Sequence, residues 1–258
     1  MNRLFLAWRD PHSRSWYPVG RLDVVGGVFQ FVYLKGALQA RDEAGFCPFS
    51  SFPNLTAAYV SSELFPLFSN RLMPQTRPDY AEYAQWLSIA EHEDDPIALL
   101  GRSGGQRATD TLEVFPCPER DAQGHYHIHF FVHGLRHMPA CSLQRTECLQ
   151  PGERLLLMHD FQNAHDPRAL MLRTDEQKPG DVHNVGFCPR YLVEDIFQLL
   201  TQRNLPLTNA VTVAVERVNP TPAPTQFRLL CSMTMRWPDG FTPFSTDLYL
   251  PIAQETST

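Results

Sequence analysis

The chain has 258 residues, 43% of them hydrophobic and 19% charged, with a formal net charge of −6 and a pI of about 5.9. That length allows one large or two modest domains, each with its own core. The charge gives the molecule as a whole no attraction for a polyanion, so any nucleic-acid contact has to be local. No segment reaches the roughly 18 uncharged apolar residues of a membrane helix, and MNRLFLAWRD lacks the apolar run of a signal peptide; no membrane partner and a cytoplasmic location are expected. The six cysteines, at 47, 117, 141, 148, 188 and 231, form no CxxC pair, which argues against a zinc ribbon or redox dithiol and for reduced, mostly buried thiols.

In chain order, RLFLAW (3–8) alternates like a strand, and YPVGRLDVV, Gly26-Gly27 and VFQFVYL follow as a hairpin. After a loop with Pro48 and Pro53, SSELFPLFSNRLMP (61–74) reads as a helix capped by Ser61 or Ser62 and ended by Pro74. PDYAEYAQWLSIA (78–90) puts Pro78 at a first turn and Tyr80, Tyr83, Ala84 and Leu87 on one face. DPIALLGRSGG (95–105) is a short helix closed by glycine. PCPERDAQGH (116–125) has the composition of a linker. VTVAVERV (211–218) and TQFRLLCSMTM (225–235) read as paired strands, and DLYLPI (247–252) as a last short strand before a tail.

The most informative stretch is LLLMHDFQNAHDPRALMLR (155–173), two apolar strands around a polar corner that holds Asn163, His165, Asp166 and Arg168. Asp and Asn turn the chain cheaply through side-chain bonds to nearby backbone, and a polar loop between buried strands is a rigid place to recognise a ligand. FFVHGLRHM (130–138) precedes it and VGFCPRYLVEDIFQLL (185–200) follows. The order strand-GxRxx, strand-(D/E)xxNxxDxxA, VGxxPRxL resembles the HIRAN domain, over about residues 125–236. The resemblance implies a small β-barrel with one or two helices. In DNA-binding members an Arg and two aromatics after the first strand, a Tyr-Asp pair in the corner and a polar residue after VG form a pocket for a single-stranded 3′ end. The matching positions are Arg136, His137, Met138, His165, Asp166 and Phe187, with Asn163 in the same corner motif. Arg136 and Asp166 keep the chemistry, His137 and His165 stack less well than Tyr, and Met138 does not stack as an aromatic does. A structural role competes with this one: Arg136 and Asp166 pair with each other or cap strand ends.

Upstream, VGRL (19–22) followed by Phe29, Phe31 and Tyr33, then Phe65, Phe68, Asn70, Leu72 and Pro74, then Asp95, Pro96, Leu99, Leu100, Gly104 and Gly105, fit the order of the N-terminal subdomain of HipA-type kinases over residues 2–116. In that family the subdomain packs on a kinase core or, as a free copy, regulates a separate kinase. No P-loop and no HRD or DFG set is present, so the half reads as a detached accessory module. The expected architecture is α+β. A small N-terminal sheet with packed helices (1–116) leads through a linker (117–124) to a HIRAN-like barrel (125–236) and an extension (237–258).

Three further clusters carry less. His125, His127, His129 and His133 alternate on one strand face, which suits a zinc site or a solvated edge. His159, Asp160, His165 and Asp166 suit an acid-base pair or simple turn geometry. GRSGGQR (101–107) suits a phosphate grip or a helix end. The weight falls on a non-catalytic bacterial adaptor with no cofactor, no metal and no catalytic residue. It would join DNA, at single-stranded 3′ ends, to a HipA-like kinase or another operon-encoded protein of a toxin-antitoxin or phage-defence system. The alternatives are a metal-dependent enzyme acting on DNA ends through Asp160 and Asp166, and a protein-interaction module that binds no nucleic acid.

Overall fold

The computed structural model describes residues 2–89, 95–176, 180–201 and 211–253. The chain folds as two compact units, one of residues 1–84, 89–117 and 244–258, the other of residues 85–88 and 118–243.

The first unit is built on an antiparallel sheet of β1 (Arg3–Arg9), β2 (Trp16–Val25), β3 (Val28–Tyr33), β4 (Ala58–Ser61) and β5 (Leu112–Pro116), in the order β4-β3-β2-β1-β5. The expected hairpin is β2–β3, turned at Gly26 and Gly27. One sheet face carries the core of Leu4, Leu6, Val19, Leu22, Phe31, Tyr33, Phe52 and Phe68. Phe31 lies flat on Phe52 with ring centroids 4.2 Å apart, and Tyr33 donates its hydroxyl to the Phe52 carbonyl at 2.8 Å. Burial pushes the Tyr33 phenol up to about 12. The opposite face of β1 is covered too. Phe5 meets Phe115, Phe244 and Tyr249 at 5.7, 5.0 and 5.2 Å, so residues beyond 243 complete this unit.

Among the described residues this part of the chain has the helices α1 (Lys35–Ala44), α2 (Pro66–Ser69), α3 (Tyr80–Trp86) and α4 (Pro96–Ser103). α4 has the expected ends: Asp95 accepts from Ile97 N at 2.9 Å, and Gly104, at φ +75°, closes it. α2 is shorter than the 61–74 expectation because Ser61 belongs to β4 and Pro66 opens the helix. α3 stops at Trp86, and Ala90 lies outside the described residues. DLYLPI is not a strand: Asp247–Tyr249 form a 3-10 turn, with a single bridge from Pro251 to Leu34 and a bond from Ile252 N to Tyr33 O at 2.9 Å. The tail from residue 254 lies outside the described residues.

The second unit holds β6 (Glu119–Arg120), β7 (His125–Phe131), β8 (Arg154–His159), β9 (Leu170–Thr174), β10 (Asn184–Phe187), β11 (Val211–Val218) and β12 (Leu229–Arg236), with helices α5 (Ala140–Glu147) and α6 (Arg190–Thr201). The sheet order is β10-β9-β8-β11-β12-β7-β6. Just past β7, His133 bridges Phe187 at the end of β10, which joins the sheet to itself as a barrel. Tyr126, Ile128, Phe130, Leu170, Leu172, Val185, Val213, Val215 and Met233 fill it, and α6 buries Leu192, Ile196 and Leu199. The unit is therefore an α+β barrel with two α-helices among the described residues, as the HIRAN resemblance implies.

Residues 117–124 are more ordered than a linker composition suggests: Glu119 and Arg120 pair with His127 and Tyr126. Asp121 then accepts from His125 N at 2.7 Å, and this bond holds its carboxyl below the usual range. Of the cysteines only Cys188 and Cys231 are buried, not most of them as expected; Cys117 is half-buried and Cys47, Cys141 and Cys148 are exposed. No described helix is long and apolar enough to cross a membrane.

Candidate nucleic-acid interface

Two glycines set the geometry of the site. Gly186 has φ +126°, and a Cβ there would lie 2.5 Å from Val132 Cγ1 and 2.6 Å from His133 O. Only glycine lets the β10 backbone approach closely enough for His133 N to reach Phe187 O at 2.9 Å and Phe187 N to reach His133 O at 2.8 Å. Gly134, at φ +74°, turns the chain beside the Phe187 ring, 3.0 Å from where its Cβ would stand. The 3-10 turn Leu135–His137 follows, with Leu135 buried and Arg136 and His137 exposed. Arg136 Nε donates to His137 Nε2 at 3.0 Å, and Met138 is half-buried.

The corner between β8 and β9 is a loop closed by Asp160 N to Ala169 O at 2.9 Å. Asn163 organises it: its Oδ1 accepts from His165 N and Asp166 N at 3.0 and 3.1 Å, and its Nδ2 donates to Asp160 at 3.0 Å. Asn163 is therefore occupied by turn geometry. Asp166 accepts from Arg168 N at 3.0 Å and pairs with Arg190 Nε, the first residue of α6, at 3.2 Å. The ion-pair partner of Asp166 is Arg190 and not Arg136, since the PR of the VGxxPR motif brings α6 under the corner. His165 is exposed, and Asp166 and Phe187 are half-buried.

The run Phe187–Arg190 joins the two halves of the site. Phe187 bridges His133, Cys188 N donates to Leu170 O at 2.8 Å, and Arg190 holds Asp166. The turn after β7 and the β8–β9 corner are thereby fastened to one segment of four residues.

Sequence reasoning missed the aromatic part of the corner. Phe161 is 77% exposed and packs at a tilt against the His159 ring, centroids 3.9 Å apart. His159 meets Phe197 of α6 edge-on at 5.1 Å, and the Arg168 guanidinium sits over Phe197 at 4.8 Å while pairing with Glu194. The only signal in the sequence is one phenylalanine in an otherwise polar corner.

The other clusters are accounted for by local bonds. His159 Nε2 bonds the Pro167 carbonyl at 2.8 Å and Asp160 holds Asn163, so these two groups of the proposed acid-base set fix the loop. His127 and His129 meet edge-on at 4.7 Å, but among the described residues no three His, Cys, Asp or Glu are placed to hold a metal ion. In GRSGGQR, Gly104 O accepts from Val114 N at 2.7 Å and Gly105 O from Arg71 at 2.8 Å, so this backbone is used inside the first unit.

Residues 125–232 match the family model of the HIRAN domain, and this segment of the chain is a HIRAN domain. Two solved structures resemble it at 17% identity. A protein from Lactobacillus plantarum covers 43% of this chain and 97% of its own, with a TM-score of 0.32. The HIRAN domain of human HLTF covers 45% of this chain and 81% of its own, with a TM-score of 0.28. Curated proteins include no match to this chain.

Proposed function

We propose that the protein is a non-catalytic adaptor whose HIRAN domain binds DNA at a single-stranded 3′ end while the first unit docks a protein partner. One observation carries the reading: the turn with Arg136 and His137 and the corner with His165 and Asp166 are both fastened to Phe187–Arg190. Arg136, exposed and free of any carboxylate partner among the described residues, neutralises a phosphate. Asp166 works in the opposite sense. A carboxylate repels a phosphodiester and accepts from a terminal hydroxyl, and Arg190 beside it offsets part of that repulsion while leaving lone pairs free.

The test is a titration of labelled oligonucleotides with 3′-hydroxyl and 3′-phosphate ends. Arg136→Ala should weaken both and lower the salt slope by about one; Asp166→Ala should narrow the gap between them. Equal affinity of the wild type for both ends would remove end recognition, and no binding to either would leave a module for proteins alone.

For the first unit, the HipA-type pattern of residues 2–116 supports a HipA-like kinase as partner, within a bacterial toxin-antitoxin or phage-defence system. Capture of such a kinase from native extract by the full chain tests it. The chain itself should turn over no ATP, because the kinase loops are absent from its sequence.

A further inference from the structure

Phe161 is the large apolar side chain that the fold leaves most exposed among the described residues, and it stands in the one loop that also carries Asp166. Nothing in the turn needs it. Asn163 and Asp160 make the corner's bonds, Asp160 N to Ala169 O closes the loop, and the ring contributes to none of these. A flexible, idle phenylalanine would be unremarkable. This one is held from one side: its ring meets that of His159 at 3.9 Å with a 39° tilt, the His159 Nε2 is fixed by the Pro167 carbonyl, and His159 in turn abuts Phe197, over which the Arg168 guanidinium sits. The result is a ring supported at one side and otherwise in water, on a loop closed by Asp160 N to Ala169 O.

We infer that Phe161 is a stacking platform for an unpaired base of the strand whose 3′ end reaches Asp166. The inference deepens the DNA reading above and rests on it. Base–aromatic stacking tolerates every base, because every base has a π-face. Such a platform also explains how a pocket with Met138, His137 and His165 at its aromatic positions retains a surface for stacking. It further requires that the strand be unpaired there, since a base inside a duplex has both faces covered, so the loop selects single-stranded DNA over the interior of a duplex.

The experiment uses the full chain with Phe161→Ala, Phe161→Leu and Phe161→Trp. Because the ring is exposed, the urea midpoints of all three should match wild type. Loss of one stacked base lowers affinity for a single-stranded oligonucleotide by about tenfold to a hundredfold. Alanine and leucine should both show this loss, leucine because it keeps apolar area without a π-face, and the salt slope should stay unchanged because no phosphate contact is removed. The Phe161→Trp protein should keep binding, and the emission of its added indole, taken as the difference from the wild-type protein, should be quenched on adding oligonucleotide. Wild-type binding with unchanged affinity in Phe161→Ala, full affinity in Phe161→Leu, or no quenching in Phe161→Trp would each overturn the platform and leave the DNA reading standing. Failure of the wild type to bind any oligonucleotide would overturn both.

Discussion

In the first unit Phe31, Phe52, Phe68 and Tyr33 are buried against one another, whereas in the barrel unit Phe161 touches a histidine ring at a tilt and keeps most of its surface in water. The barrel interior relies more on aliphatic residues and methionine, and its rings at the corner face outwards. A ring in a packed core stabilises by area and contact. A ring at a rim stabilises little and is free to meet a ligand. The difference separates the residues that hold this protein together from those that give it something to bind.

The largest expected effect is that of Phe31→Ala. The ring also rests on Gly20, where a Cβ would lie 2.5 Å from it, so its removal opens space that a neighbouring glycine cannot fill. A loss of about 3–5 kcal/mol is expected. Calorimetry should show it in one of two transitions, with oligonucleotide binding retained; loss of binding together with the fold would mean that the units do not stand independently. Gly186→Ala sharpens the comparison from the other side. Its backbone conformation alone costs about 1–3 kcal/mol in a residue with a side chain, and the clash with Val132 and His133 O adds to that. The barrel should open at the His133–Phe187 bridge and lose binding while the first unit's transition is unchanged.

Arg190→Ala is smaller. Its pair with Asp166 is 41% exposed on the arginine side and so contributes only about 0.2–1 kcal/mol to stability. Its expected mark is on recognition: with Asp166 no longer offset, oligonucleotides ending in phosphate should be disfavoured further. The subtlest readout is thiol chemistry. Burial raises the thiols of Cys188 and Cys231 above the usual range, so at pH 8 they carry little thiolate and should resist alkylation while exposed Cys47, Cys141 and Cys148 react. Both buried thiols belong to the barrel unit. They should stay protected in Phe31→Ala and become reactive in Gly186→Ala. The same shift has a pH consequence: the barrel's stability is fully present below the ordinary thiol range and falls as pH rises through it, because there only the unfolded chain ionises.

Elements with their own punctuation were legible in the sequence. Asp95, Pro96 and Gly104 mark both ends of α4, Gly26-Gly27 marks the β2–β3 hairpin, and the corner of 155–173 is where its polar residues place it. α1 was not legible because the residues it buries are Gly36, Ala37 and Ala40, too small to give an apolar stripe. The burial of Phe5 could not be read from β1, since the rings that cover it, Phe244 and Tyr249, come more than two hundred residues later. At the site, residue types were readable and partners were not: Asp166 finds Arg190 only because α6 starts beneath the corner, and the prop under Phe161 is assembled from β8, the loop and α6.

The return of residues 244–253 to the first unit changes what it means to cut or to make this chain. During synthesis all of the barrel is complete before Phe244 and Tyr249 emerge, so the nascent first sheet carries Phe5 and Phe115 uncovered for that whole interval. Stopping the chain at Pro243 would leave that face bare permanently and invite aggregation. A protease that nicks residues 117–124 in the finished protein would not set the barrel free. The barrel is held by a second strap of covalent chain that ends in the first unit's own packing, and the two pieces should elute together until denaturant is added.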